Sequence, residues 1–231
     1  MEIRHITLDT CAEATGIVVS IDVLRAFSTA SYAFTAGCRS ITLVSTVEEA
    51  FAMKEQIPEA LIMGEVDGLP VKGFDYGNSP SEFIGSDLSG RQMIQRSSAG
   101  TQGVVHSLRA DKLLAGSFCC AGATARYIKQ FSPTTVTFVI TGIYPDGRGD
   151  EDAACAEYIG ALLHGKKPDG TLYVQRVRES LAARKFIDPS SPEFPDSDID
   201  YCTKIDNVDF AMVVKRLNGR FHMEAVGGAL R

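Results

Sequence analysis

The stretch 17-IVVSIDVLRAFSTASYAFTA-36 sets the architecture. Ile17–Ile21 is a short, nearly unbroken run of β-branched apolar residues, the pattern of a strand covered on both faces. Asp22 and Arg25 come directly after it, and then a helical run through Ala30 and Ala36. A buried strand that feeds directly into a helix is one unit of a sheet built by crossover connections.

The same unit recurs outward from it. Ile41–Val44 reads as a strand, and the next helix begins at Thr46 with Glu49 three residues on, a capping box. Leu61–Met63 is a short strand that leaves into the loop GEVDGLPVKGFDYGNSP. Gln92–Arg96 leads into SSAGTQG and a helix through Leu108; Leu113–Ala115 leads into a helix through Ile128; and Thr135–Ile140 leads through a Gly/Asp loop into AACAEYIGALL. The N-terminal MEIRHITLDT reads as an edge strand. These spacings predict a three-layer α/β/α fold on a mostly parallel sheet. After Gly165 the pattern changes. Tyr173–Lys185 reads as an amphipathic basic helix and 188-DPSSPEFPDSD-198 as a surface loop, so 166–198 is expected to be an insertion. Residues 209–226 read as a hairpin turning at Asn218-Gly219 in a type I′ turn, which makes the sheet mixed. The expectation is a single domain over 1–231.

The net charge of −6 argues against nucleic acid or an anionic membrane as partner, so an anionic ligand needs cations gathered locally. No apolar run approaches the roughly 20 residues of a membrane span, and the first residues lack the apolar centre of a signal peptide. Six cysteines without a C-x-x-C pair or zinc spacing, and four scattered histidines, suggest buried thiols in a reducing, cytoplasmic setting.

In open α/β sheets ligands lie beyond the carboxyl ends of the strands. The residues just past these strand ends are Asp22 and Arg25, Glu65, Asn78 and Ser79, Ser98, Gly100 and Thr101, and Asp146, Arg148, Asp150, Glu151 and Asp152. Each has an ordinary structural reading, such as Asp150 as a helix N-cap with Glu151 and Asp152 complementing the helix dipole. Their shared placement points instead to an anion-and-cation site. Carboxylates from several strand ends suit Mg²⁺, a hard ion that takes oxygen ligands. Beside arginines and helix-opening N–H groups, that is equipment for phosphoryl transfer to water.

A rival signal is 119-CCAGATAR-126, in which Cys120 and Arg126 have the spacing of a cysteine-phosphatase loop. Cys119 and Tyr127 stand where that loop usually carries His and Ser or Thr. A third reading is a non-catalytic anion-binding protein on the same fold.

The stretches 21-IDVLRA-26, 64-GEVDGLPVKGFDYGNSP-80, 97-SSAGTQG-103, 149-GDEDAACAEYI-159 and 198-DIDYCTKIDNVDF-210 resemble, in the same order, the 2-phosphosulfolactate phosphatase family. The resemblance implies a magnesium-dependent acid phosphatase of α/β/α fold that converts a small anionic phosphoester, 2-phosphosulfolactate, to sulfolactate in coenzyme M synthesis; a homodimer is compatible with it. The family's motifs fall on Asp22, Arg25, Glu65, Asn78, Ser79, Gly100, Thr101, Glu151 and Asp152. Asp22, Glu65 and Asp152, with Glu151, are the expected metal ligands. Arg25 and the N–H groups around Gly100-Thr101 are the expected holders of the anion, with Asn78, Ser79, Ser98 and Arg148 around it. The chain departs from the family at Phe27-Ser28-Thr29 and at Ala99-Gly100-Thr101-Gln102.

Overall fold

The apolar run Ile17–Ile21 is buried at every position and divides its side chains between two cores. Val18 packs with Phe27, Ala33, Val104 and Met212 on one face. Ile17, Val19 and Ile21 pack with Phe118, Ile128, Phe138 and Ile159 on the other. The computed structural model describes residues 1–142 and 149–227. Among these the strands are β1 (Glu2–Thr7), β2 (Ile17–Ile21), β3 (Ser40–Val44), β4 (Leu61–Val66), β5 (Leu69–Pro70), β6 (Gln92–Arg96), β7 (Lys112–Gly116), β8 (Thr135–Ile140), β9 (Ala211–Leu217) and β10 (Arg220–Val226). The helices are α1 (Ala26–Thr35), α2 (Val47–Gln56), α3 (Gly100–His106), α4 (Ala121–Lys129), α5 (Asp150–Leu163), α6 (Gly170–Glu179) and α7 (Ser197–Cys202). Helices α1 and α3 cover one face of the sheet and α4 and α5 the other, while Ala50 and Met53 of α2 pack on Val44, Ile62 and Ile94. This is the expected three-layer α/β/α arrangement. The capping box is complete, with the Thr46 side chain accepting from Glu49 N–H and the Glu49 carboxylate from Thr46 N–H.

The strand order is β1-β8-β2-β7-β9-β10-β3-β6-β4-β5. β1, β8, β2 and β7 are mutually parallel, as are β3, β6 and β4. The β9–β10 hairpin stands between these blocks and is antiparallel to both neighbours. Its turn has Asn218 at φ 51° and Gly219 at φ 78°, the two positive values that a type I′ turn requires. The hairpin therefore completes the sheet from its middle, and the two parallel blocks run in opposite directions. In a flat sheet the ends of β2 and β4 would point apart. Six strand-to-strand steps separate them, and a twist of about 20–25° per step turns them by about 120–150°. The carboxyl ends of β2, β4, β6 and β8 then border a single cleft.

Two expectations after Gly165 need correction. The predicted helix 173–185 is broken: α6 ends at Glu179, and a short 3₁₀ turn, Ala182–Phe186, comes next. Ser180 makes the break, its hydroxyl accepting from Ala183 N–H in the way of an N-cap. Residues 188–198 are also not a plain surface loop. Phe194 and Asp198 are buried, and Asp198 already lies in α7.

Candidate active site

The cleft has a volume of about 920 Å³. Its floor forms where β2 and β8 end. Asp22 Oδ1 accepts from Ala26 N–H at 2.9 Å and so helps open α1. Asp22 Oδ2 faces Gly100 so closely that a Cβ there would stand 2.6 Å away; only glycine allows α3 to begin against this carboxylate. Asp152, in the first turn of α5, reaches across the same floor. Its Oδ1 accepts from Val23 N–H and its Oδ2 from Gly142 N–H, each at 2.8 Å. A Cβ on Gly142 would lie 3.0 Å from both Asp152 Oδ2 and Glu151 Oε1, so these two carboxylates flank one glycine.

Asp22, Glu151 and Asp152 are all buried. Burial is the main cause that raises their pKa values; the charge of Glu65 adds to it at Asp22, those of Asp22 and Asp150 at Glu151, and those of Glu151 and Asp22 at Asp152. Asp22 is pushed up to about 6, Glu151 to about 7, and Asp152 well above the usual carboxylate range. Among the described residues Glu151 Oε2 has no hydrogen-bond partner, nor has Asn78 Oδ1 on the cleft wall. Buried polar atoms are seldom left unmatched, and a carboxylate trio of this kind calls for a proton or a cation.

Among the described residues no three His, Cys, Asp or Glu side chains stand as a preassembled metal-binding group. The chemistry of the donors nonetheless fits Mg²⁺, which is held by one or two carboxylates with waters and substrate oxygens completing its shell. Asp22 and Asp152 are held rigid by backbone N–H groups, and Glu151 has an oxygen to spare.

The opposite wall is built on Glu65, at the end of β4. Its Oε1 accepts from Ser98 N–H at 2.5 Å, and its Oε2 from Gly68 N–H and from the Ser98 hydroxyl. Glu65 thus ties the β4–β5 turn to the start of α3, and its oxygens are more fully engaged than those of Glu151. Arg25 lines the cleft but is 4% exposed and anchored. It donates to Asp198 Oδ2 at 2.8 Å, to the Glu193 carbonyl at 3.0 Å and to the Gly68 carbonyl at 3.3 Å. Ser79 donates to Asp198 Oδ1 at 2.6 Å and does not line the cleft.

Asp22, Arg25, Glu65, Asn78, Ser98, Glu151 and Asp152 are therefore brought together. Gly100 and Thr101 do not form an open cradle for an anion. Gly100 faces Asp22, and Thr101 N–H donates inward to Ser97 Oγ. The helix N-cap is Gly149 rather than Asp150, whose carboxylate pairs with Arg176 of α6. Asp146 and Arg148 lie outside the described residues.

The model of the 2-phosphosulpholactate phosphatase family matches residues 5–216. The chain belongs to that family. A relative from Bacillus subtilis is 37% identical over 201 residues, 87% of each chain. One from Carboxydothermus hydrogenoformans is 40% identical over 65% of this chain and 61% of its own, and one from Thermotoga maritima is 30% identical over 88% and 90%. All three are named probable 2-phosphosulfolactate phosphatase.

In this member of the 2-phosphosulpholactate phosphatase family the cysteine signal dissolves. Cys120 is fully buried and away from the cleft, and burial pushes its thiol pKa up, the reverse of what a nucleophile needs. Arg126 is on the surface, paired with Asp209. Cys120→Ser should keep at least roughly a third of the wild-type kcat/KM, and iodoacetamide should leave the folded enzyme active; parallel alkylation and inactivation would restore the thiolate reading. Three other residues were not legible as parts of the site: Asp198, which organises Arg25 and Ser79, and Arg184 and Lys185, which line the cleft from the 3₁₀ turn. The basic character of 173–185 was the available signal for the last two.

Proposed function

We propose that the cleft hydrolyses a small anionic phosphomonoester, 2-phosphosulfolactate, to sulfolactate and phosphate, with Mg²⁺ held by Asp22 and Asp152 beside Glu151. The observation that carries this is the buried trio of carboxylates, whose repulsion is relieved by a cation, facing a wall that carries Arg25, Arg184 and Lys185. When bound, the ion neutralises non-bridging phosphoryl oxygens and makes a nearby water more acidic. The chain's residues do the rest. Asp22 and Asp152 stay fixed because backbone N–H groups hold them. Glu151 Oε2 is placed to orient the attacking water and take its proton. Glu65 keeps the β4–β5 turn and Ser98 in place, and Asn78 offers an unengaged acceptor oxygen to a water beside the substrate. A place in coenzyme M synthesis, a cytoplasmic setting and a single catalytic domain are part of the same proposal. No described helix is long and apolar enough to cross a membrane.

The test is turnover of a panel of small phosphomonoesters, including 2-phosphosulfolactate and phospholactate, before chelation, after it and after Mg²⁺ is returned. The expected result is loss to a few per cent and recovery, with 2-phosphosulfolactate the best substrate. Full activity in the stripped enzyme overturns the metal assignment.

Stability gives an independent reading. Folding raises the pKa values of Asp22 and Glu151, to about 6 and about 7, so the folded chain holds more protons than the unfolded one above about pH 4. That contribution is complete below the ordinary carboxylate pKa and is lost as the pH rises through 6 and 7; Asp22 alone is worth on the order of 3 kcal/mol. The Tm of the metal-free protein should therefore fall from about pH 5 to 7.5, and Mg²⁺ should raise it more at the higher pH. An equal Mg²⁺ increment at both would separate the ion from these carboxylates.

A further inference from the structure

Lys185 is the feature of the cleft that the reaction at the carboxylate floor does not use. It is exposed, as a residue on an open cleft wall is, yet protein surrounds its ammonium closely enough that desolvation leads the causes lowering its pKa, with the neighbouring charge of Arg25 next. Glu65, Asp22 and Glu151 are near enough for their fields to act on it. It nevertheless makes none of the ion pairs found among the described residues.

Its position is built rather than loose. The ammonium lies 4.4 Å from the centre of the Phe194 ring, and that ring packs edge-on against Phe186 at 5.4 Å. The Arg25 guanidinium lies 4.8 Å from the centre of the same ring. Gly68 makes room for this stack: at φ 84° it has no side chain, and a Cβ there would come within 2.7 Å of Phe194 and 3.5 Å of Lys185 Nζ. A cation is thus fixed on an aromatic shelf, facing the carboxylate floor without touching it. The gap between is room for an anion.

We propose that Lys185, assisted by Arg184, forms a second anion subsite that binds the carboxylate or sulfonate of the substrate and so determines specificity. This rests on the phosphatase reading and adds which part of the substrate meets which wall. A phosphoester of sulfolactate carries two anionic groups besides its phosphoryl group. The phosphoryl group belongs at the floor, where Glu151 can position water. The remaining anions then lie toward the 3₁₀ turn, where Arg184 and Lys185 are the cationic side chains of the lining. A compact ammonium, free to turn its three donors, suits a sulfonate or carboxylate reached from one side.

The experiment is titration calorimetry of the Mg²⁺-loaded protein with two separate probes: inorganic phosphate, and sulfolactate, which has the two outer anions and no phosphoryl group. Wild type should bind both. Lys185→Gln should weaken sulfolactate at least tenfold more than it weakens phosphate, Arg184→Gln about threefold more, and Lys185→Arg should recover most of the loss. Lys185→Met keeps the stem over Phe194 and serves as a second variant should Lys185→Gln melt early. Failure of wild type to bind sulfolactate overturns the subsite. So does equal weakening of both probes by Lys185→Gln, which would place Lys185 at the phosphoryl group, and so does no change in either. The phosphatase reading fails differently: wild type would bind sulfolactate yet not turn over 2-phosphosulfolactate.

Discussion

Asp22→Asn should lower kcat/KM on the best phosphomonoester by about 10²–10³-fold at neutral pH, a loss of about 3–4 kcal/mol in transition-state stabilisation, while the protein stays folded. The substitution keeps the side-chain volume against Gly100, where there is no space to spare. The amide oxygen can still accept from Ala26 N–H, so the start of α1 survives. One acceptor toward Gly100 is exchanged for a donor, a cost of about 1 kcal/mol. Removing a buried charge whose pKa is pushed up to about 6 offsets that cost, so the metal-free Tm should move by only a few degrees. What is lost is the negative charge proposed to hold Mg²⁺, and Mg²⁺ affinity measured by calorimetry should fall with activity. The charge of Asp22 is also among the causes raising Glu151 and Asp152, so both should ionise at lower pH in the variant. A variant that keeps activity within tenfold of wild type, or loses it without losing Mg²⁺, removes Asp22 from the metal site.

Asp22 was legible in the sequence because it ends a strand with no polar position facing water. A carboxylate just beyond such a strand emerges at the sheet rim whatever the neighbouring strands do. The same logic placed Glu65 at the end of β4, whereas Asp152 reaches the rim on the first turn of α5; local turn chemistry gave the Thr46–Glu49 box and the Asn218-Gly219 turn. What failed was non-local. Nothing in the runs β2 and β3 says that they point in opposite directions, because that is decided by a hairpin near the other end of the chain inserting between β7 and β3. Gly100 and Thr101 looked like an anion cradle because glycine before a helix usually presents N–H groups; here those groups are taken by Asp22 and Ser97. Cys120 is the N-cap of α4 and Arg126 lies within that helix, but the two share no surface. The stretch 188–198 has the composition of a solvated loop, and only its partner Arg25, 173 residues from Asp198, makes it part of the interior.

That partnership carries the second large effect. Asp198→Ala should lower Tm by about 10 °C and raise KM. Asp198 is wholly buried and Arg25 is 4% exposed, and removing one member of such a pair leaves the other charge buried and unmatched, at a cost of about 3–5 kcal/mol. For a chain of this size each kcal/mol moves Tm by about 2–4 °C. The loss should spread to the site. Arg25 bonds the carbonyls of Glu193 and Gly68 as well, so it clips the segment bearing Phe194 to the β4–β5 turn; Lys185 rests on that same ring. Ser79 loses its acceptor in the same step. The double variant Arg25→Met, Asp198→Ala separates architecture from chemistry, since neither charge is then left buried alone. It should melt above Asp198→Ala, giving a favourable coupling in the double-mutant cycle. If its activity recovers with its Tm, Arg25 serves only to hold the wall. If stability returns and kcat/KM stays low, the guanidinium also acts on the anion from within its buried pair, the outcome expected for a cation that lines the cleft. An Asp198→Ala protein that melts within about 2 °C of wild type would mean that the segment is held by its aromatic packing, and that the Arg25–Asp198 pair contributes little beyond balancing its own desolvation.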